Sequence, residues 1–402
     1  GLALDDPADS ALPKCDAQAD LCRKTDAVQK LMNEIDTNHD GFVDAHELRE
    51  YLHKSNYKLS EEKIAELIVR LDKNGDESGT ATEVQHQDIL TNYLVRMSPS
   101  KILFWSAATI VSWKVVYPFM RMLFMFTIAK KFYSKRKQLK NAGEWAIVTG
   151  AAAGIGQAYA RELAKDGLNI MLIDIDEAGL SSMATELAGN FSVKTITFIC
   201  DFTRDDIYGI LEKEIDKLPS IACLVNNVGI CYPRLARFDN ADFIDFEFIR
   251  NLINCNMHSM TSLTRIVLPR LLKQNKHGSA IINLSSFTGL MPYPYLSLYS
   301  ASKAFIQHFV KSLIPEVKDS NIMIQAVCPL FVTTKLSRKS TPSLFVPTPD
   351  TYVRSALDML GVEEVTNGYL PHALAGFILL LFPTLAVRRS EGVYKEMNHI
   401  KD

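Results

Sequence analysis

The chain has 402 residues, 47% hydrophobic and 22% charged, which is enough to bury two or three cores and too apolar for a large disordered region. Its net charge of −2 hides a segregation: residues 1–100 carry 20 acids against 11 lysines and arginines, residues 101–141 carry nine bases and no acid, and residues 142–402 are near neutral. The basic residues follow an apolar run instead of paving a face, which excludes nucleic acid as the expected partner. Three segments are expected, at 1–100, 101–141 and 142–402. Cys200, Cys223, Cys231, Cys255 and Cys328 fall in apparent core elements without CxxC spacing and read as buried thiols. Cys15 and Cys22 stand apart, where a local disulfide and two free thiols are equally compatible with the spacing. Residues 1–15 show no signal-peptide pattern.

The first segment holds Asp36, Asn38, Asp40, Phe42, Asp44 and Glu47 at positions 1, 3, 5, 7, 9 and 12 of a twelve-residue loop. Calcium takes six to eight hard oxygens, and this spacing supplies carboxylates, an amide, the Phe42 carbonyl and a bidentate Glu47. Gly41 stands at the sharp turn and Val43 at the apolar pairing position. Helical patterns flank the loop, with Ile35 before it and Tyr51 after it. This resembles an EF-hand. A second loop follows, with Asp72, Asn74, Asp76 and Glu83 at positions 1, 3, 5 and 12. Glu77 replaces its turn glycine and Gly79 its apolar residue, so it reads as a weak or structural site.

The second segment runs from Ile102 to Ala129, long enough to cross a hydrocarbon core. Lys114 and Arg121 interrupt it on one helical face, so an interfacial arrangement kinked at Pro118 competes with a clean span. Membrane attachment is expected either way. Lys130, Lys131, Lys135, Arg136, Lys137 and Lys140 follow it, and that basic excess places the C-terminal domain in the cytoplasm.

From residue 142 strands and helices alternate. Apolar runs at 145–148, 169–173, 194–200, 221–225, 280–284 and 322–327 predict βαβ units in a doubly wound parallel sheet of Rossmann type. With the EF-hand segment all-α, the fold class is α/β preceded by a helical module. Residues 369–387 are strongly apolar but hold Pro371 and Pro383, which suits an interfacial helix or substrate lid better than a second span.

Thr149, Gly150, Gly154, Ile155 and Gly156 form a glycine-rich turn between the first strand and the helix after it. Such a turn lets backbone approach a pyrophosphate, and the helix start offers free N–H groups. Asp174 ends the next strand. Its carboxylate can accept from both ribose hydroxyls and would repel a 2′-phosphate, which predicts NAD(H) in preference to NADP(H). The plainer alternative is that Asp174 caps the following helix. Tyr299 and Lys303 share a helical face four residues apart, and a neighbouring ammonium favours the phenolate. Ser286, at the end of a buried strand, can hold the same substrate oxygen.

These residues carry a resemblance to the short-chain dehydrogenase/reductase family over about residues 143–390: TGxxxGIG at 149–156, Asn226-Asn227-Val228-Gly229, Asn256, and the Ser286/Tyr299/Lys303 set. The resemblance implies that Asp201 contacts adenine, that Asn226 and Gly229 line the cofactor cleft, and that Asn256 holds a water in a relay with Lys303. GEWAIVTG, NNVGICYP, PLFVTTKL and TNGYLPHAL are similar to the branch of 17β-hydroxysteroid dehydrogenase type 12, the very-long-chain 3-oxoacyl-CoA reductases. That branch generally lacks an acid at the Asp174 position, uses NADPH and has no EF-hands. The expected activity is hydride transfer between NAD(H) and a lipid-like substrate (a hydroxysteroid, a retinoid or a 3-oxoacyl-CoA) at the endoplasmic reticulum membrane. The resemblance also admits a homodimer. A calcium-binding scaffold with a non-catalytic dehydrogenase-like domain is the alternative, and the complete set of four site residues argues against it.

Overall fold

The computed structural model describes residues 99–239 and 241–397 and, before them, residues 2–3, 30, 33–35, 37, 47, 50–51, 54–55 and 79–80. The chain divides into two compact units, Gly1–Ser112 and Trp113–Asp402.

In the first unit, residues 33–35 are helical with Ile35 buried, and Glu47, Glu50 and Tyr51 are helical too. Helices therefore stand on both sides of the first loop. The Glu47 carboxylate is buried and turns back to the start of that loop, accepting from Thr37 N at 3.0 Å and Thr37 Oγ1 at 3.1 Å. Gly79–Thr80 pairs in parallel with Leu2–Ala3. Asp36, Asn38, Asp40, Phe42, Asp44, Asp72, Asn74, Asp76 and Glu83 lie outside the described residues, as do Cys15 and Cys22. A helix at Pro99–Val111 exposes Phe104, Trp105, Ile110 and Val111.

The second unit is built on a seven-stranded parallel sheet: β1 (Trp145–Thr149), β2 (Asn169–Asp174), β3 (Thr195–Ile199), β4 (Ile221–Asn226), β5 (Ser279–Leu284), β6 (Ile322–Val327) and β7 (Val365–Thr366). The spatial order is β3-β2-β1-β4-β5-β6-β7. β1, β4 and β5 are buried at every residue, as unbroken apolar runs covered on both faces should be. One face carries α1 (Gly154–Lys165), α2 (Glu177–Phe191) and, later in the chain, α7 (Pro349–Asp358). The other carries α3 (Tyr208–Asp216), α5 (Ser259–Gln274) and α6 (Ser297–Glu316); α4 (Phe246–Ile253) leads into α5. Strand order reverses between β1 and β4, which opens a cleft at their C-terminal ends. The two-residue β7 gave no sequence signal because it is too short to show a period.

The run before the sheet is helical but interrupted. A π-helical turn at Ser112–Val116 precedes helix Tyr117–Phe124, and another at Met125–Ala129 follows it. Pro118 has no N–H to close the preceding turn, which accounts for the first interruption. This run docks on the enzyme domain. Phe126 and Ala129 are buried, Phe126 against Met359 and Ala373, and Arg121 pairs with Glu363 at 3.3 Å. Burial raises the Glu363 pKa, and Arg121 works against that shift.

Arg136, which the sequence groups with a membrane-facing basic flank, instead enters the fold. It meets Glu162 at 2.7 Å, Asp166 at 2.6 Å and Asp358 at 3.5 Å. At the C-terminus α8 (Leu370–Leu381) and α9 (Pro383–Met397) meet at 99°. Pro383, which opens α9, cannot continue the α8 ladder. Among the described residues no single helix is long and apolar enough to cross a membrane; α8 and α9 qualify only as a bent pair.

Candidate active site

The cleft begins at the turn after β1. Gly150 and Gly154 have φ of +65° and +60°, and a Cβ on Gly156 would lie 2.0 Å from the Gly150 carbonyl oxygen. Only glycine fits at Gly156. Asn227 clamps the turn, its Nδ2 donating to Thr149 O at 2.8 Å and Gly150 O at 3.2 Å. Helix α1 starts at Gly154 without a side-chain cap, so Ile155 and its neighbours present first-turn amides at the cleft. The turn suits the pyrophosphate of a dinucleotide: side chains are excluded from it, and amide donors face it.

Asp174 lies at the rim beside this turn. Its Oδ2 accepts from Ala152 N at 2.9 Å, and its Oδ1 from Ile175 N at 2.7 Å and Asp176 N at 3.1 Å. It is not the cap of α2; Asp176 is, accepting from Gly179 N at 3.0 Å. Asp201 follows β3 and holds the next turn through Thr203 N and Oγ1, at 2.9 and 2.7 Å. The Asn226 side chain turns into the sheet, its Nδ2 donating to Asn283 Oδ1 at 2.9 Å and Thr264 Oγ1 at 3.2 Å. It does not face the cleft, because its place in a fully buried strand points it at β5 and α5. Gly229 lies between Asn256 and Lys303: a Cβ there would stand 3.1 Å from Asn256 Oδ1 and 3.3 Å from Lys303 Nζ.

Asn256 sits in a π-helical turn, Asn254–His258, between α4 and α5. Such turns often carry site residues. Its amide is fixed by Ile230 N at 2.8 Å, Ile230 O at 2.9 Å and Ser302 Oγ at 3.0 Å. Ser286 lies two residues past the end of β5 and accepts from Thr288 N and Oγ1. Gln307 braces the same strand end through Ser285 Oγ and Ser286 O. Tyr299 and Lys303 both lie buried on α6. Lys303 Nζ donates to Leu284 O at 2.9 Å.

Burial pushes the Tyr299 pKa well above that of a free phenol, Cys231 adds to the shift, and the Ser286 hydroxyl opposes it. Desolvation therefore favours the proton-bearing phenol, a contribution that the sequence argument from the neighbouring lysine did not include. Burial also lowers Lys303, to about 8. Cys231 is pushed up to about 11 by burial, against a backbone hydrogen bond at Tyr232 and the charges of Lys303 and Arg338. Next in the chain to Ser286, Phe287, Leu290, Met291 and Leu330 pack into an apolar cluster with Leu379 of α8 and Ala386 of α9. The sequence reading omitted Thr334, whose methyl would meet a Cβ on Gly154 at 3.2 Å. Its signal lay in the PLFVTTKL run.

The family profile of short chain dehydrogenases matches residues 144–344. The chain belongs to the short-chain dehydrogenase/reductase family. Its enzyme domain is thus that of an NAD(P)-dependent oxidoreductase, and an EF-hand domain pair matches residues 25–83. Relatives within the family include the very-long-chain 3-oxoacyl-CoA reductase of Anas platyrhynchos, 43% identical over 61% of this chain and 78% of its own. Reductase-B of Danio rerio is 39% identical over 69% and 88%. The Homo sapiens reductase is 40% identical over 60% and 76%. A solved 7β-hydroxysteroid dehydrogenase shares the fold, with a TM-score of 0.57 at 19% identity over 63% of this chain and 99% of that one.

Proposed function

We propose that this short-chain dehydrogenase/reductase reduces the keto group of a long-chain 3-oxoacyl-CoA at a membrane surface, with NAD(H) preferred over NADP(H). The observation that carries the reading is a Tyr299 buried beside Ser286, where burial favours the proton-bearing phenol, with an apolar cluster from Phe287 to Leu379 packed next to it. The similarity to three acyl-CoA reductases supports the substrate class.

A bound nicotinamide would supply the hydride. The chain's own residues do the rest. Ser286 hydrogen-bonds the substrate carbonyl oxygen and orients it toward Tyr299. Tyr299 gives its proton to that oxygen as negative charge develops there. The Lys303 ammonium stabilises the phenolate left behind, and Asn256, fixed by Ile230, shapes the route by which the proton is replaced. Asp174 accepts from the adenosine ribose hydroxyls and repels a 2′-phosphate, which supports NAD(H). Asp201 and Gly229 complete the cleft. Hydroxysteroids and retinoids remain candidate substrates of the same site.

Membrane association is supported by exposed apolar side chains on two neighbouring elements. Trp113, Tyr117, Met120 and Phe124 precede the sheet, and Ile378, Leu380, Phe382 and Leu385 lie around the α8–α9 bend. Phe119 meets Phe377 at 5.7 Å and joins the two sets. The arrangement favours helices lying in the interface, at the endoplasmic reticulum as the branch resemblance implies. Calcium is proposed for the first EF-hand loop, closed by Glu47, with the second loop weaker.

Purified full-length protein in vesicles should oxidise NADH in the presence of 3-oxoacyl-CoA, faster with longer acyl chains. Turnover of steroid or retinoid ketones alone would redirect the substrate assignment. Turnover of none would favour the scaffold alternative.

A further inference from the structure

The segment 331–346, between β6 and α7, forms an arm whose base is fastened from two sides. Thr333 N donates to Pro347 O at 3.0 Å, and Ser343 and Val346 exchange hydrogen bonds of 2.9 and 3.1 Å. The fully buried His372 of α8 holds the other side. Its Nδ1 accepts from Leu330 N at 3.2 Å, and its Nε2 lies 3.1 Å from Phe331 O and 3.3 Å from Phe345 O. An accepting Nδ1 assigns the proton to Nε2, which donates to the two carbonyls. One neutral imidazole therefore ties both ends of the arm to α8.

The inner turn of the arm is equally defined. Ser337 N donates to Thr334 Oγ1 at 3.2 Å and Thr334 N to Ser337 Oγ at 3.3 Å. Arg338 N donates to Thr334 O at 3.1 Å, and Arg338 has φ of +54°. That left-handed conformation is uncommon for a long side chain and points to a placement held for a reason. The arm carries Lys335, Arg338 and Lys339 and no acid. Among the described residues none of these three is ion-paired, whereas Arg234 and Arg237 are paired with Asp242 and Asp239. The turn also faces inward. Thr334 stands against Gly154, and the Arg338 amide is bonded to Thr334 O, so the base of this cation is held beside the cleft.

We infer that this arm recognises the phosphates of the substrate's coenzyme A moiety, with Arg338 as the contacting residue and His372 as the residue that positions the arm. This rests on the acyl-CoA reading above. A guanidinium suits a phosphate because it offers parallel N–H donors. An unpaired cation carried on a turn beside the cleft matches a ligand with an anionic handle. An anionic lipid headgroup offers the same chemistry, but it would approach from the membrane surface, whereas the turn that carries Arg338 stands against the glycine turn of the cleft at Gly154.

The test uses the full chain and compares a 3-oxoacyl-CoA with the same acyl group on N-acetylcysteamine, which lacks the phosphates. Arg338→Gln should raise KM for the CoA thioester about tenfold, about 1.4 kcal/mol of binding, and bring the two substrates close to parity, with Arg338→Lys recovering part of the difference. His372→Gln should move KM for the CoA thioester more than kcat. Adenosine 3′,5′-bisphosphate should bind the wild type and compete with the CoA thioester, and should bind Arg338→Gln at least several-fold more weakly. An equal rise in KM for both thioesters would overturn the proposal, as would a weaker affinity for NADH or NADPH in place of the KM effect. Loss of binding to anionic vesicles with unchanged KM would assign the arm to lipid headgroups instead. If the wild type reduces neither thioester, the acyl-CoA reading fails. Calorimetry with adenosine 3′,5′-bisphosphate still decides the arm, since equal affinity of wild type and variant would refute it.

Discussion

Lys303 Nζ lies 5.7 Å from the centroid of the Tyr299 ring while donating to the Leu284 carbonyl at 2.9 Å. The strand end thus fixes the lysine beneath the phenol it serves, and burial brings its pKa down to about 8. Below that pH Lys303 is an ammonium and stabilises the phenolate that forms when Tyr299 gives up its proton. Above it the charge is lost. The kcat for ketone reduction should therefore be flat toward neutral pH and fall above about 8, and a pH–rate profile checks this. A rate still rising at pH 9 would contradict the assignment.

Tyr299→Phe keeps the ring in its buried place and removes only the proton. Reduction should fall by roughly 10²–10⁴-fold, the usual worth of a positioned acid, with the dissociation constant for NADH unchanged by fluorescence titration. Retention of a tenth of the wild-type rate would assign the proton to another group.

Asp174 has two tasks in the structure: it holds the turn through Ala152 N and the strand end through Ile175 N and Asp176 N. Asp174→Ser with Ile175→Arg should reverse the cofactor preference toward NADPH. Because three amides lose their acceptor, melting temperature should also drop. A wild type that prefers NADPH would show that those amides absorb the charge that was expected to exclude the 2′-phosphate.

Arg136 is the partner of a buried acid. The Glu162 side chain is 6% exposed and depends on Arg136 at 2.7 Å, with Arg354 farther off at 3.5 Å. Arg136→Met should destabilise the enzyme domain by about 3 kcal/mol, since breaking a buried pair strands a charge. Adding Glu162→Gln should recover much of it. Denaturant melts of the single and double variants measure this.

For the EF-hand pair, Glu47→Gln should weaken calcium binding by at least tenfold, because the bidentate carboxylate closes the loop. Calorimetric titration of calcium into the full chain and the variant reads it directly. Equal binding would place the main site in the second loop.

Much of this was legible in the sequence. The strands declared themselves by unbroken apolar runs, and the glycine turn, Ser286, Tyr299 and Lys303 by a spacing that only one architecture explains. What escaped depends on geometry that spacing cannot carry. A π-helical turn at Asn254–His258 leaves no periodic mark, and Asn226 looked like a cleft residue until the pleat of β4 turned its amide toward Asn283. Arg136 read as one more base in a basic run. Its acids come from positions 26, 30 and 222 residues away, a distance at which charge patterning is silent.

That pairing has a mechanical consequence. Phe126 and Ala129 are packed on the enzyme domain, and Arg136 is bolted to it only seven residues after Ala129. The apolar run is therefore a fixed bracket and not a leash. Its bare side keeps a set rotation relative to the enzyme domain, so any surface that docks on it would meet that domain in one attitude. Inserting a single residue within the helical stretch Lys130–Tyr133 would swing that side by about 100° without touching any site residue.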